Sequence, residues 1–435
     1  MAADNPRSDQ QDAIDGALDW FAENPTGGGA PPLPFREIVP GVWSQDIQYG
    51  TGNSLTIDTG EGLVQVDTGI NREHAATMIA AVRDVTDRPV HTIVYSNGHT
   101  AYNHGVEAWL DEAARRGDPR PRIVAHRNLP RRYQRYRDTT RWQELTSEWQ
   151  FGFPPGTITD KGMFDVMVDP DETYDDTFVV TAGAGSRRVE LVHCHAETND
   201  GTGVWLPDDR LLYGGNATIG SFPNIGSPLR SPRDAWAWAD TLDRYLGFDA
   251  EILVREYGPE ISGADLVADM LTTVRDALRW LRAETLKRLN AGMVVEDVVN
   301  DIDFPARWAE SPWMPQTYGC PEYVIRDIWR LETGWWDRNI TSAHPAPAAA
   351  SAGAIAAAIT DHDAVLHAAR AHLSAGEPQL ALHVVDLLAM APGEAPALVA
   401  ARELKAEIAS VLAEDPPAYM SANYYRAVAA GYPAR

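Results

Sequence analysis

The side chains of this chain best suited to moving protons or holding a cation near neutral pH gather in two short stretches. One is Asn97-Gly98-His99-Thr100-Ala101-Tyr102-Asn103-His104-Gly105, with imidazoles at 99 and 104 and a phenol between them. The other is His193-Cys194-His195-Ala196-Glu197, with imidazoles at 193 and 195 and a carboxylate. Imidazole titrates close to neutrality and is a common zinc ligand, so either stretch suits acid–base catalysis or a metal centre. His193 and His195 stand two apart at a strand end, so a regular strand puts them on one face and Cys194 on the other. His195, nearer the loop and Glu197, is the stronger candidate of the pair. A lone loop histidine such as His99 also serves to satisfy a buried hydrogen bond, and His104, at the start of a helix, reads first as structural.

The elements around these stretches belong to an α/β layer architecture, in which short β-rich runs alternate with amphipathic helices from residue 40 to about 263. Residues 52–69 read as two alternating strands around Gly60-Glu61-Gly62, a hairpin that ends in Asp67-Thr68-Gly69, where Asp67 is a turn residue shaping the floor of a site. Residues 73–84 have helical spacing, 90–96 form a buried strand, and 106–116 form a second amphipathic helix. The first chemical stretch therefore lies at the carboxyl end of a sheet strand, where α/β proteins place their sites. Beyond residue 264 the pattern turns helical, with a long helix over 270–289 and an aromatic-rich segment over 308–336. Trp142 and Trp149 lie where they could wall an apolar pocket. Residues 341–353 are small and Pro-containing and read as a linker. Helix pairs over 361–412 suit the stacking of helical hairpins. The division is thus an N-terminal helix and irregular lead-in (1–39), an α/β domain (40–263), a helical extension with linker (264–345) and a helical domain (346–435).

Composition narrows the partners. Acidic residues outnumber basic ones by 62 to 37, a net charge of −25 that repels nucleic acid and anionic lipid. No apolar run is long enough for a membrane span, and the first residues resemble neither a secretory nor a transit peptide, so a cytoplasmic protein is expected. The two cysteines, Cys194 and Cys320, are far apart and read as structural.

The loop over 97–105 resembles the metal-binding loop of the alkylsulfatase-like branch of the metallo-β-lactamase superfamily, His-Gly-His-x-Asp-His-x-x-Gly. Gly98, His99 and Gly105 match without a gap, while Asn97, Ala101 and Tyr102 stand where His, Asp and His belong. A shifted register would pair His99 with His104, at the cost of the Gly105 match; the gapless one is preferred. Glu197 in Ala196-Glu197-Thr198-Asn199-Asp200 falls on another family ligand. Gly215 replaces the acidic bridge, and Tyr257 in Glu256-Tyr257-Gly258-Pro259 replaces the last His. Of the implied ligands only His99 and Glu197 remain. The resemblance also places Arg230 as an anion binder, whose guanidinium fork fits sulfate or carboxylate, with Asn97, Asn224 and Tyr318 as further substrate-binding candidates. Tyr318-Gly319, Trp335-Trp336 and Ala422-Asn423-Tyr424-Tyr425 are similar to the family's linker and dimerisation domain.

The resemblance implies an αββα metallo-β-lactamase sandwich followed by an all-α helical-repeat dimerisation domain, and hence a homodimer. The function expected is an enzyme acting on a small organic substrate with an anionic or polar head, through metal-independent acid–base chemistry as a lyase, isomerase or hydrolase. His99, Glu197 or His195 would be acid and base, and Tyr102 and Tyr257 would orient or protonate. No cofactor is expected in that reading. A second reading keeps hydrolysis of an alkyl sulfate or similar ester with one zinc on His99, Glu197 and a recruited His104 or His195. A third is a non-catalytic binding or scaffold homologue.

Overall fold

Branched and aromatic residues with period-two alternation bury one sheet face against another layer, and the 52–69 segment does this. Strands β3 (Ser54–Asp58) and β4 (Leu63–Val66) pair antiparallel, with Leu55 opposite Val66 and Ile57 opposite Val64. The computed structural model describes residues 35–45, 52–100, 102–158, 166–180, 186–257, 260–316, 318–416 and 418–431. Most of the lead-in expected over 1–39 lies outside them, as do Ala101, Gly258 and Pro259.

A seven-stranded sheet has the order β1-β2-β3-β4-β5-β6-β7, adding β1 (Phe35–Val39), β2 (Val42–Gln45), β5 (Val90–Val94), β6 (Arg122–His126) and β7 (Glu172–Tyr174). The pairs from β4 to β7 are parallel. A six-stranded sheet has the order β13-β12-β11-β10-β9-β8, built from β8 (Thr177–Val180), β9 (Val189–Cys194), β10 (Gly201–Leu206), β11 (Leu211–Tyr213), β12 (Ile252–Val254) and β13 (Ile261–Ser262). Ile57, Val64 and Val66 of the first sheet meet Leu191, Val204 and Leu211 of the second in a buried layer.

Helices cover both outer faces, completing the αββα sandwich. Helices α1 (Arg72–Val85), α2 (Val106–Arg116) and α3 (Leu129–Asp138) bury Met78, Trp109 and Tyr133 on the first sheet. Helix α4 (Thr140–Phe151) follows α3 directly. Helices α5 (Ala235–Leu246), α6 (Ala264–Asn290), α7 (Val295–Asp301), α8 (Ala306–Ala309) and α9 (Pro321–Thr333) form the other cover, where Trp238, Leu271, Leu278 and Ile325 pack on Val192 and Leu253. Each such side chain contributes roughly 1.5–3 kcal/mol by leaving water.

The short helix α10 (Ile340–Ala343) leads to α11 (Ala348–Ala358), α12 (His362–Ser374), α13 (Pro378–Ala389), α14 (Pro396–Leu412) and α15 (Tyr419–Ala429). The linker expected over 341–353 is thus largely helical. Pro347 precedes an alanine run, and alanine has the highest helix propensity, so the small residues propagate a helix whose Ala356 packs into the C-terminal bundle. No helix among the described residues is long and apolar enough to cross a membrane.

Candidate active site

Where β4 ends, Asp67 adopts a left-handed conformation (φ 58) that turns its carboxylate into the protein. It accepts hydrogen bonds from the Ser96 backbone N–H (2.8 Å), the Ser96 hydroxyl and the Asn103 amide (2.9 Å), tying together the two ends of the loop that follows β5. Burial, partly offset by these bonds, pushes the carboxyl up to about 6. Asp67 is more than a turn residue: it anchors the loop that carries His99. Asn97 is also buried. Its oxygen accepts the His99 backbone N–H at 2.9 Å and its amide donates to Ser96 Oγ at 3.0 Å. Asn97, a substrate-binding candidate, has both ends of its amide engaged inside the loop, which it shapes. From outside, Asp200 accepts the Gly98 N–H at 2.8 Å and is paired at 2.6 Å with Arg132 of α3.

These anchors present His99 to Glu197, with Nε2 and Oε2 3.1 Å apart. The other carboxylate oxygen accepts from Asn224 Nδ2 at 2.6 Å and Arg233 Nη1 at 2.9 Å. Burial alone would raise the Glu197 pKa, but Arg233 and His99 outweigh it and hold the carboxyl well below its ordinary range. Burial lowers the pKa of His99 against the opposing pull of Glu197. A neutral imidazole beside a fixed carboxylate donates Nε2–H to it, leaving Nδ1 to accept from the Tyr136 hydroxyl 3.4 Å away.

Tyr102, with its ring centroid 6.1 Å from that of His99, donates to Oε1 of Glu256 and lies 2.9 Å, oxygen to oxygen, from Tyr257. Tyr102 is buried, whereas Tyr257 is 36% exposed and opens the cluster to solvent. Arg230 is held by oxygens of α4, with Gln143 Oε1 at 3.1 Å and Ser147 Oγ at 3.3 Å; Gln150 accepts from its Nε and donates to the Tyr318 hydroxyl at 2.9 Å. None of these partners is charged, so the guanidinium keeps its charge for an incoming anion. Helix α15 buttresses this wall, as Asn423 donates to the Gln150 carbonyl at 2.8 Å and Tyr424 meets Ser227 at 3.2 Å.

Other candidates lie apart. His195 stacks at 6.1 Å on His193, which stacks at 3.8 Å on His126, so His193 and His195 do share a face. His104 is half-buried, its buried Nε2 lacks a partner among the described residues, and burial lowers its pKa to about 4. Among the described residues no group of three or more His, Cys, Asp or Glu converges as a metal site. The donors that do meet, His99 and Glu197, are bonded to each other, and a cation already lies on Glu197. At Gly215 (φ 53) a Cβ would come 2.7 Å from the Thr202 carbonyl oxygen, so this backbone has no room for an acidic bridge. The residues present do not fit a pair of zinc ions.

Sequence reasoning missed Glu256, Arg233 and Tyr136. For Glu256 a signal existed, a carboxylate two residues past the apolar strand β12 and next to Tyr257. Arg233 and Tyr136 join the site through tertiary packing.

The sequence profile of the metallo-beta-lactamase superfamily matches residues 48–255, and that of the alkyl sulfatase dimerisation domain matches 294–432. The chain is 26% identical over 340 residues to a linear primary-alkylsulfatase of Pseudomonas sp., covering 72% of this chain and 62% of that one. It is 22% identical over 423 residues to an alkyl/aryl-sulfatase of Saccharomyces cerevisiae, covering 87% and 64%. The chain thus spans less than two thirds of the length of these curated relatives. The solved stereoselective inverting sec-alkylsulfatase Pisa1 from Pseudomonas sp. superposes with a TM-score of 0.77 at 20% identity, covering 97% of this chain and 69% of that one.

Proposed function

The chain belongs to the alkylsulfatase-like branch of the metallo-β-lactamase superfamily, and from that premise we propose that it is an enzyme acting on a small organic substrate with an anionic head by acid–base chemistry that needs no metal. The observation that carries this reading is the surrounding of Glu197, where Arg233 and Asn224 take one oxygen and His99 the other. A protein cation stands where a metal ligand should offer its lone pairs, and the tight packing at Gly215 agrees with it.

In this scheme Glu197 does not shuttle protons. A carboxylate held so far below neutrality orients His99 and stabilises its protonated form, and His99 is the acid or base. Tyr257, at the exposed edge, protonates or binds developing oxyanion charge. Arg230 holds the anionic head, with Tyr318 beside it on Gln150. The names of the relatives make alkyl sulfates the first substrates to try, and the dimerisation-domain match supports pairing of two copies through the C-terminal helices.

The test is turnover of alkyl sulfates and of carboxylate-headed analogues by protein purified without chelator, together with its transition-metal content. Expected are substoichiometric metal, turnover indifferent to later chelation, and loss of turnover in His99→Ala. Stoichiometric metal with chelator-sensitive turnover would instead support a mononuclear hydrolase, and a cellular phenotype unchanged by His99→Ala, Glu197→Gln and Tyr257→Phe a non-catalytic role.

A further inference from the structure

Glu256 is fully buried, and its Oε2 meets no hydrogen-bond partner among the described residues. Its backbone is fixed on both sides, by the Thr218 carbonyl at 3.0 Å and the Asn53 N–H at 2.6 Å. Gly52 closes the remaining side, since a Cβ there would lie 2.8 Å from both Glu256 Cγ and Tyr102 Cε1. The carboxyl makes no ion pair among the described residues, and its side-chain partner is Tyr102, which touches Tyr257 at the exposed edge. A buried carboxylate with one oxygen unsatisfied is costly, and a neutral carboxyl in the same place is far less so.

We propose that Glu256 is a buried proton reservoir for the site, linked by the hydroxyls of Tyr102 and Tyr257 to substrate oxygen. The proposal rests on the acid–base reading above. As negative charge develops on a substrate oxygen, the Tyr257 O–H bond breaks and its proton passes to that oxygen. With Glu256 neutral, its proton sits on Oε1 and is donated to the Tyr102 oxygen, and the Tyr102 hydroxyl is donated to Tyr257. Tyr102 then gives its proton to Tyr257, and Glu256 gives its own to Tyr102. Each phenol loses and regains one proton, Glu256 is left as carboxylate, and the chain reverses when a proton is returned from solvent. Burial, reinforced by Glu197, pushes the Glu256 carboxyl well above its ordinary value. Asp67 acts in the same direction, Arg233 and the Tyr102 hydrogen bond oppose it, and Tyr257, Tyr213 and the Cys194 thiol are the other titratable groups that bear on it.

Infrared spectroscopy of the full chain at neutral pH, with isotopic labelling of glutamate, reads the reservoir without any substrate. The expected result is a carbonyl stretch of a neutral glutamic acid that disappears in Glu256→Gln, persists in Glu197→Gln and changes frequency in Tyr102→Phe, each variant being checked for its fold by circular dichroism. No such band, or a band that survives Glu256→Gln, overturns the proposal. On a substrate found as above, Glu256→Gln and Tyr102→Phe should lower kcat by about a hundredfold with little change in KM; a change confined to KM also overturns it. Chelator-sensitive turnover would end the metal-free reading and leave the band standing, so the two failures can be told apart.

Discussion

Arg233 sets a guanidinium nitrogen 2.9 Å from Oε1 of Glu197, and the two side chains are only 9% and 8% exposed. Removing the cation leaves the carboxylate buried and uncompensated. Arg233→Met is therefore expected to lower the free energy of unfolding by about 3–5 kcal/mol, the range for breaking a buried pair. Urea denaturation of the two proteins measures it. A loss under about 1 kcal/mol, ordinary for an exposed pair, would mean that Glu197 is not held as described.

The same pair sets a pH dependence. The folded-state pKa of Glu197 lies below the ordinary value of 4.5, so on acidification the unfolded chain takes up this proton first. The stability it contributes is complete above that ordinary value and is lost as pH falls toward the folded one. The advantage of the parent over Glu197→Gln in urea midpoint should be largest near neutrality and shrink below about pH 4. An advantage that grows on acidification would contradict the assignment.

Asp67 has the opposite sign. Its folded pKa of about 6 exceeds the ordinary 3.8, so the folded chain holds the proton to higher pH. Its contribution is complete below the lower value and is lost as pH rises through the upper one, a swing of about 3 kcal/mol for a shift of roughly two units. Against Asp67→Asn, the relative stability of the parent should fall between about pH 4 and 6 and level off above about 7. Parallel stability curves would show that Asp67 does not titrate in this range.

Where periodicity is strong, sequence and structure agree closely, as in the helix expected over 106–116 and found at Val106–Arg116. Packing against two layers imposes those periods. His99, Glu197, Tyr102 and Tyr257 were recognisable because each follows a strand or a turn with a distinctive pattern. Arg233 and Tyr136 carry no such pattern, and only the approach of the 224–233 segment and α3 to the sheet ends brings them to Glu197 and His99. The shared face of His193 and His195 was legible, but not which neighbours it would meet; His126 on the adjoining sheet took that place. The small residues over 348–353 misled because they suit linkers and helices alike, and the buried Ala356 of the same helix decides between them.

The loop that presents His99 should be sensitive at Gly98. A Cβ there would lie 2.7 Å from Asp200 Oδ2 and 2.9 Å from Arg132 Cδ, so the side chain cannot enter without parting the clamp. Gly98→Ala is expected to cost about 1–3 kcal/mol, as overpacking does. The loss should appear in urea denaturation together with a change in the His99 imidazole resonances by NMR. Unchanged stability with unshifted resonances would show that the Arg132–Asp200 clamp does not govern the loop.

Arg230 provides the test of anion recognition that needs no turnover. Its fork is spread over Gln143, Ser147 and Gln150, and the last of these is held from behind by Asn423 of α15. Inorganic sulfate should raise the melting temperature of the parent, since a ligand of the folded state stabilises it by mass action. Arg230→Lys keeps the charge but loses the planar fork, and charged hydrogen bonds contribute about 1.5–3 kcal/mol each, so sulfate affinity should fall at least about tenfold. Asn423→Ala leaves the guanidinium in place and loosens Gln150 behind it, so a smaller loss in the same direction is expected. Equal sulfate stabilisation in the parent and Arg230→Lys would remove Arg230 from the anion site and, with it, the reason for α15 to pack there.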